Sequence, residues 1–98
     1  MLTSLDVSGN NIAHLPDTLG RLANLRRLQL AGNSRLRSLD GVRVLAHLES
    51  LDASGNALDE FSDDLTSLRW LQHLDLSDNN LGSLPDNFGH LRYVLFIR

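Results

Sequence analysis

The feature that most restricts what this chain can fold into is a spacing that belongs neither to a helix nor to a plain strand. In Leu71 to Pro85, LQHLDLSDNNLGSLP, the residues Leu71, Leu74, Leu76, Asn79, Leu81 and Leu84 fall at intervals of three, two, three, two and three. A helix repeats about every 3.6 residues and a strand every two, so the pattern describes a short strand that runs into a tight turn. Alternation turns Leu74 and Leu76 to one face and His73, Asp75 and Ser77 to the other. The run Ser77-Asp78-Asn79-Asn80 is built of turn formers and bends the chain away.

The pattern recurs at a fixed interval of 23 residues. Leu2, Leu25, Leu48, Leu71 and Val94 hold the first apolar position and Leu5, Leu28, Leu51, Leu74 and Ile97 the second. Asn10, Asn33, Asn56 and Asn79 keep the same register. A period of roughly 20–29 residues with this order of Leu and Asn marks a leucine-rich repeat, and the chain resembles that family over nearly its whole length. The segments NNIAHLPDTLGRLANL and NNLGSLPDNFGHLRYV are similar to its 23-residue, Leu-Pro-containing class. Intracellular scaffold and signalling proteins and some bacterial proteins use that class. The resemblance implies an α/β solenoid: a short right-handed superhelix with a parallel concave β-sheet of 4–5 strands and short helical or 3₁₀ segments on the convex side. Residues 1–98 then form a single domain, with repeats at about 2–24, 25–47, 48–70 and 71–93 and the start of a fifth at 94–98.

Within that frame the departures are informative. Leu19, Leu22 and Leu25 recur every third residue after Pro16, a spacing that suits a short helix or 3₁₀ turn, capped by Asp17 or Thr18. The second repeat holds one extra residue between Asn33 and Leu36 and lacks one between Leu39 and Val42. A small bulge at the edge is expected, with register restored at Asp40-Gly41 and a differently shaped outer segment from Val42 to His47. Ala53 stands where the other repeats have Val7, Leu30 and Leu76, and Phe61 is the candidate to fill the space. Ser62-Asp63-Asp64 opens the third outer helix with its acids where the helix dipole favours them. The asparagines carry both donor and acceptor functions, so a stacked ladder of Asn10, Asn33, Asn56 and Asn79 can bond turn backbone within and between coils.

Composition excludes more than it assigns. There is no cysteine and the net charge is −3, so no disulfide frame, thiolate ligand or cysteine nucleophile exists, and nucleic-acid binding is not expected. The cysteine-free sequence favours a reducing, cytoplasmic compartment. Met1 to Asp6 has neither the basic start nor the apolar run of a signal peptide. Tyr93 to Ile97, the longest apolar run, is too short to span a bilayer, so no membrane association is expected. Both ends read as uncapped strands, which predicts self-association and a piece of a longer array or a short gene product with atypical ends.

The strand alternation specifies which side chains line the concave face. Asp6, Gln29, Asp52 and Asp75 form a central column. Ser4, Arg27, Ser50, His73 and Phe96 flank it on one side, and Ser8, Ala31, Ser54 and Ser77 on the other. Two readings stand: Leu-Asp-Leu-Ser as a soluble way of writing such a strand, and a docking face for a basic or polar segment. Asp6, Arg27, Gln29, Ser50, Asp52, His73 and Asp75 are the candidate partner-binding residues. Trp70, in a column with Asn24, His47 and Tyr93, is a candidate edge anchor, or else a cover over the outer segment.

His73, Asp75 and Asp52 lack the third ligand and enclosure of a metal or acid/base site, so no catalytic residue, metal or cofactor is expected. Arg26, Arg27, Arg35, Arg37 and Arg43 give the second repeat a basic cluster, read as a solvated face. The function the resemblance implies is a non-catalytic protein–protein interaction module in intracellular signalling or scaffolding. The alternatives are a structural segment of a longer array and the targeting domain of a larger enzyme.

Overall fold

The computed structural model describes residues 2–60 and 62–81, the Asp17 side chain excepted. Four three-residue strands, β1 (Ser4–Asp6), β2 (Arg27–Gln29), β3 (Ser50–Asp52) and β4 (His73–Asp75), form one parallel sheet in chain order. Their register follows the sequence period, with Leu5 against Leu28, Leu28 against Leu51 and Leu51 against Leu74. The pairing continues beyond the strands, where Val7, Leu30 and Ala53 donate their N–H groups to Gln29, Asp52 and Asp75 of the next coil at 2.7–2.9 Å. The chain is an α/β solenoid of the leucine-rich type.

Each strand ends in a turn that needs a left-handed residue. Gly9, Gly32 and Gly55 take it with φ between 66° and 74°, and Asp78 takes the equivalent place at φ 57°. A side chain in that region crowds its own backbone, and Asp tolerates it better than most because its short carboxylate can bond locally. Behind the turn the asparagines form the expected ladder. Asn33, fully buried, donates to Leu30 O at 2.7 Å and Val7 O at 3.3 Å, and its Oδ1 accepts from Ile12 N–H. Asn56 donates to Ala53 O and accepts from Asn33 N–H, both at 2.7 Å. Asn79 donates to Ala53, Leu76 and Ser77 carbonyls and accepts from Leu58 N–H. Asn10 is exposed and, among the described residues, bonds only its own coil, at Val7 O and Ser8 O.

On the outer side the chain returns through 3₁₀ segments, Asp17–Leu22, Val42–Val44 and Asp63–Ser67. The three-residue spacing of Leu19, Leu22 and Leu25 matches a 3₁₀ turn, whose side chains eclipse at i and i+3. The first cap differs from expectation. Pro16 is the N-cap residue and supplies no side-chain hydrogen bond, because the proline ring carries no acceptor and Asp17 and Thr18 already lie inside the segment. The third behaves as expected: Ser62 caps Asp63–Ser67 by accepting from Asp64 N–H. Asp64 in turn accepts from Gly41 N–H at 2.6 Å, tying the starts of two neighbouring outer segments together. Among the described segments the second is the shortest, at three residues, and so differs from its neighbours as expected.

The extra residue of the second repeat closes as a flank turn, with Leu36 N–H donating to Asn33 O at 2.9 Å, and leaves the sheet register intact. Register returns at Gly41, where φ is 98°. Between the sheet and the outer segments runs one continuous core, in which Leu25, Leu28, Leu48, Leu51, Leu71 and Leu74 are all at most 1% exposed. Leu5, Val7, Ile12, Leu15 and Leu22 of the first coil are only partly buried against it. Ala53 is fully buried. Phe61 as its compensating volume, the Leu84-Pro85 pair, Phe88, Leu91, Tyr93, Phe96 and the fifth strand from Val94 to Ile97 lie outside the described residues. No described helix is long and apolar enough to cross a membrane.

Candidate functional site

The parallel register fixes the outward face of the sheet. Ser4, Arg27, Ser50 and His73 stand side by side, and so do Asp6, Gln29, Asp52 and Asp75. Adjacent strands lie about 4.8 Å apart, so Asp52 and Asp75 are immediate neighbours, while Gln29 separates both from Asp6. Asp6, Arg27 and His73 are exposed; Gln29, Ser50, Asp52 and Asp75 are half-buried. All seven candidate partner-binding residues thus lie on one surface. Next to them Ser8, Ala31, Ser54 and Ser77 form a column of small, half-buried side chains that leaves the aspartates accessible from that side.

The aspartates also hold the fold. Asp52 Oδ1 accepts from Ser54 N–H at 3.0 Å and from its hydroxyl at 2.7 Å, and Asp75 Oδ1 accepts from Ser77 N–H at 2.9 Å and its hydroxyl at 2.6 Å. Asp6 Oδ1 accepts from Ser8 N–H at 2.9 Å. An Asp-x-Ser unit therefore locks the turn that follows three of the strands, a local side-chain-to-backbone bond of the kind that aspartate favours. The second coil has Gln29-Leu30-Ala31 instead and lacks the lock. The Asp6 carboxyl is held below its usual pKa, chiefly by the Ser8 N–H and secondarily by the Ser8 hydroxyl, against a small opposing cost of desolvation. The locking bonds fix the rotamers of the three carboxylates, so their charges are pre-positioned.

Trp70 is 53% exposed at the edge where the chain enters β4, and Asn24 and His47 occupy the equivalent exposed places on earlier coils. Two features of this face escaped the sequence reading. Arg26 and Glu49 form a 2.5 Å ion pair between neighbouring coils, signalled in the sequence by opposite charges one full period apart. The Asp-x-Ser lock was equally visible as a motif recurring at that period. On the outer flank, Arg37 and Asp59 make a longer pair at 3.7 Å. Among the described residues no three His, Cys, Asp or Glu side chains are grouped so as to hold a metal ion.

The comparisons with known proteins agree with this architecture. A leucine rich repeat family model matches residues 1–58 and a second model of the same description matches residues 70–91. No curated protein matches the chain. Among solved structures it is similar to internalin C2 of Listeria monocytogenes, with a TM-score of 0.74 and 25% identity over 87% of this chain and 36% of that one. It is also similar to a leucine-rich repeat protein of Leptospira interrogans, with a TM-score of 0.64 and 25% identity over 92% of this chain and 29% of the other. The chain therefore spans about a third of the length of either structure.

Proposed function

We propose that this chain, which belongs to the leucine-rich repeat family, uses its concave sheet face to bind an extended protein segment carrying Lys or Arg. The fold is generally that of a protein-interaction repeat module. The finer reading, a non-catalytic module whose site is Asp6, Arg27, Gln29, Ser50, Asp52, His73 and Asp75 with Trp70 at the edge, rests on one observation above all. Three carboxylates on one face are each pinned by a following serine, so little side-chain freedom is left to lose when a cation arrives, and that freedom is a main cost of association. The neighbouring Asp52 and Asp75 repel each other, and a cation between them relieves the repulsion. Trp70 offers an exposed ring face for a cationic or apolar side chain. A cytoplasmic setting in signalling or scaffolding is part of the proposal, and the cysteine-free sequence is compatible with it.

Exposed charge pairs contribute on the order of 0.2–1 kcal/mol each, so the face governs orientation and encounter rate more than affinity. The test is anisotropy titration with a labelled octapeptide of alternating Lys and Ser. Asp52→Asn combined with Asp75→Asn should weaken its binding several-fold while the unfolding midpoint stays close to that of the parent. Binding that is unchanged in this variant, or insensitive to salt, would refute the concave-face reading.

A further inference from the structure

The turn that follows β2 carries one residue more than the equivalent turns of the neighbouring coils, and nothing in the core makes use of it. Leu36 is fully buried, as Leu58 is. Asn56 Oδ1 still receives an N–H from the preceding coil, now that of Asn33. The sheet register passes through unbroken. Gly41, in the left-handed region at φ 98°, absorbs the compensating deletion. What the insertion changes is the flank where the chain leaves the sheet for the convex side. The Asn33–Leu36 turn presents Arg35 to solvent on the wall of an open groove of about 670 Å³, whose lining also includes His14, Arg37, Asp59 and the half-buried Ala13 and Ala57.

The charge of this groove runs against that of the molecule. The chain carries −3 overall, yet the groove gathers two guanidiniums against one carboxylate. Arg35 has no ion-pair partner among the described residues. Arg37 reaches Asp59 only at 3.7 Å, with the two side chains 76% and 50% exposed, and a pair that long and that wet holds its partners weakly. Both guanidiniums are thus available to an incoming acceptor, and the planar fork of arginine suits a carboxylate in two-point contact.

We propose that the groove is a second docking site, for an extended acidic peptide segment whose carboxylates pair with Arg35 and Arg37. The lining residues come from four successive coils, from Ala13 to Asn80, a width of about 14 Å at the strand spacing, which about four or five extended residues span. The small alanine side chains leave room for a peptide backbone. Among the described residues no Phe, Tyr or Trp lines the groove to stack a nucleobase, so the chemistry they supply favours carboxylates over a nucleic acid. The site is independent of the concave face and of opposite sign.

The test is anisotropy titration of the full chain with fluorescein-labelled hexaglutamate at low salt. Saturable binding is expected. Arg35→Glu should weaken it at least five-fold, and Arg35→Ala should weaken it less, both with circular dichroism and unfolding midpoints near those of the parent. Asp59→Asn should tighten binding about two-fold, because it removes a repelling charge and releases Arg37, an improvement that a merely structural effect would not produce. Asp52→Asn with Asp75→Asn should not weaken hexaglutamate binding, which separates failure here from failure of the concave site. The proposal is overturned if the parent does not bind hexaglutamate, if Arg35→Glu binds like the parent, if Asp59→Asn fails to tighten, or if hexathymidylate binds more tightly than hexaglutamate.

Discussion

Removing the Asn56 side chain should cost far more stability than its small size suggests. Two bonds are lost in Asn56→Ala: the one donated to Ala53 O and the one accepted from Asn33 N–H, each at 2.7 Å. They do not count equally. Ala53 O keeps a second donor, Asn79 Nδ2 at 2.9 Å, so its loss is that of an ordinary hydrogen bond, about 0.5–1.5 kcal/mol. The N–H of fully buried Asn33 has no alternative acceptor in the ladder and is left unpaired, at about 1–3 kcal/mol. The combined cost is roughly 2–4 kcal/mol. Asn80→Ala is the control, because the Asn80 side chain is exposed and makes no hydrogen bond among the described residues, and surface changes of that kind stay within about 0.5 kcal/mol. In equilibrium urea unfolding, with a slope of about 1.5 kcal/mol per molar for a chain of this size, the Asn56→Ala midpoint should fall by roughly 2 M and that of Asn80→Ala by less than about 0.5 M. Equal shifts in the two variants would refute the ladder as a source of stability.

Two further outcomes follow from the turn geometry. Asp78 holds the left-handed place that Gly9, Gly32 and Gly55 fill in the other coils, so Asp78→Gly should raise stability by about 0.5–1 kcal/mol as the backbone crowding is relieved, read from the urea midpoint. The Asp6 carboxyl should titrate below the ordinary carboxylate range by carbon-detected NMR, and Ser8→Ala should bring it part of the way back, since the backbone N–H remains. Because folding lowers the Asp6 pKa, its contribution to stability is complete above the unfolded-state value and is lost as pH falls through the folded-state value.

Much of the architecture was legible because a solenoid repeats its contacts. The place of Leu28, Leu51 and Leu74 in the sheet and of Asn33, Asn56 and Asn79 in the ladder follows from a single interval, with every coil restating the evidence of the last. Local deviations were harder to read for the same reason. Proline could be recognised at position 16, but whether it preceded or occupied the cap depended on where the 3₁₀ segment begins, a difference of one residue that propensity does not resolve. The extra residue of the second repeat could be counted, but not whether it would swell a strand edge or close as a separate turn. That depended on the Asn33 carbonyl being available to Leu36 N–H. The concave columns were likewise predictable from alternation, whereas the flank groove joins residues from four coils at non-equivalent positions and so has no periodic signature.

The aspartates show why position on a face is a weaker guide to role than the bonds a side chain makes. Asp52 and Asp75 occupy the column from which a binding surface is expected, yet each also closes its own turn through a following serine. Substitution by alanine would remove the charge and the turn lock together, and loss of binding in such a variant could come from either. Asparagine keeps an oxygen able to accept from the serine N–H and hydroxyl while removing the charge, so it separates the two roles. If the column serves only the fold, the Asn variants should bind the Lys-Ser peptide as the parent does and the Ala variants should unfold earlier. If it also serves recognition, the Asn variants should lose binding while keeping their stability, and the loss should shrink as salt rises because screening weakens the parent toward them.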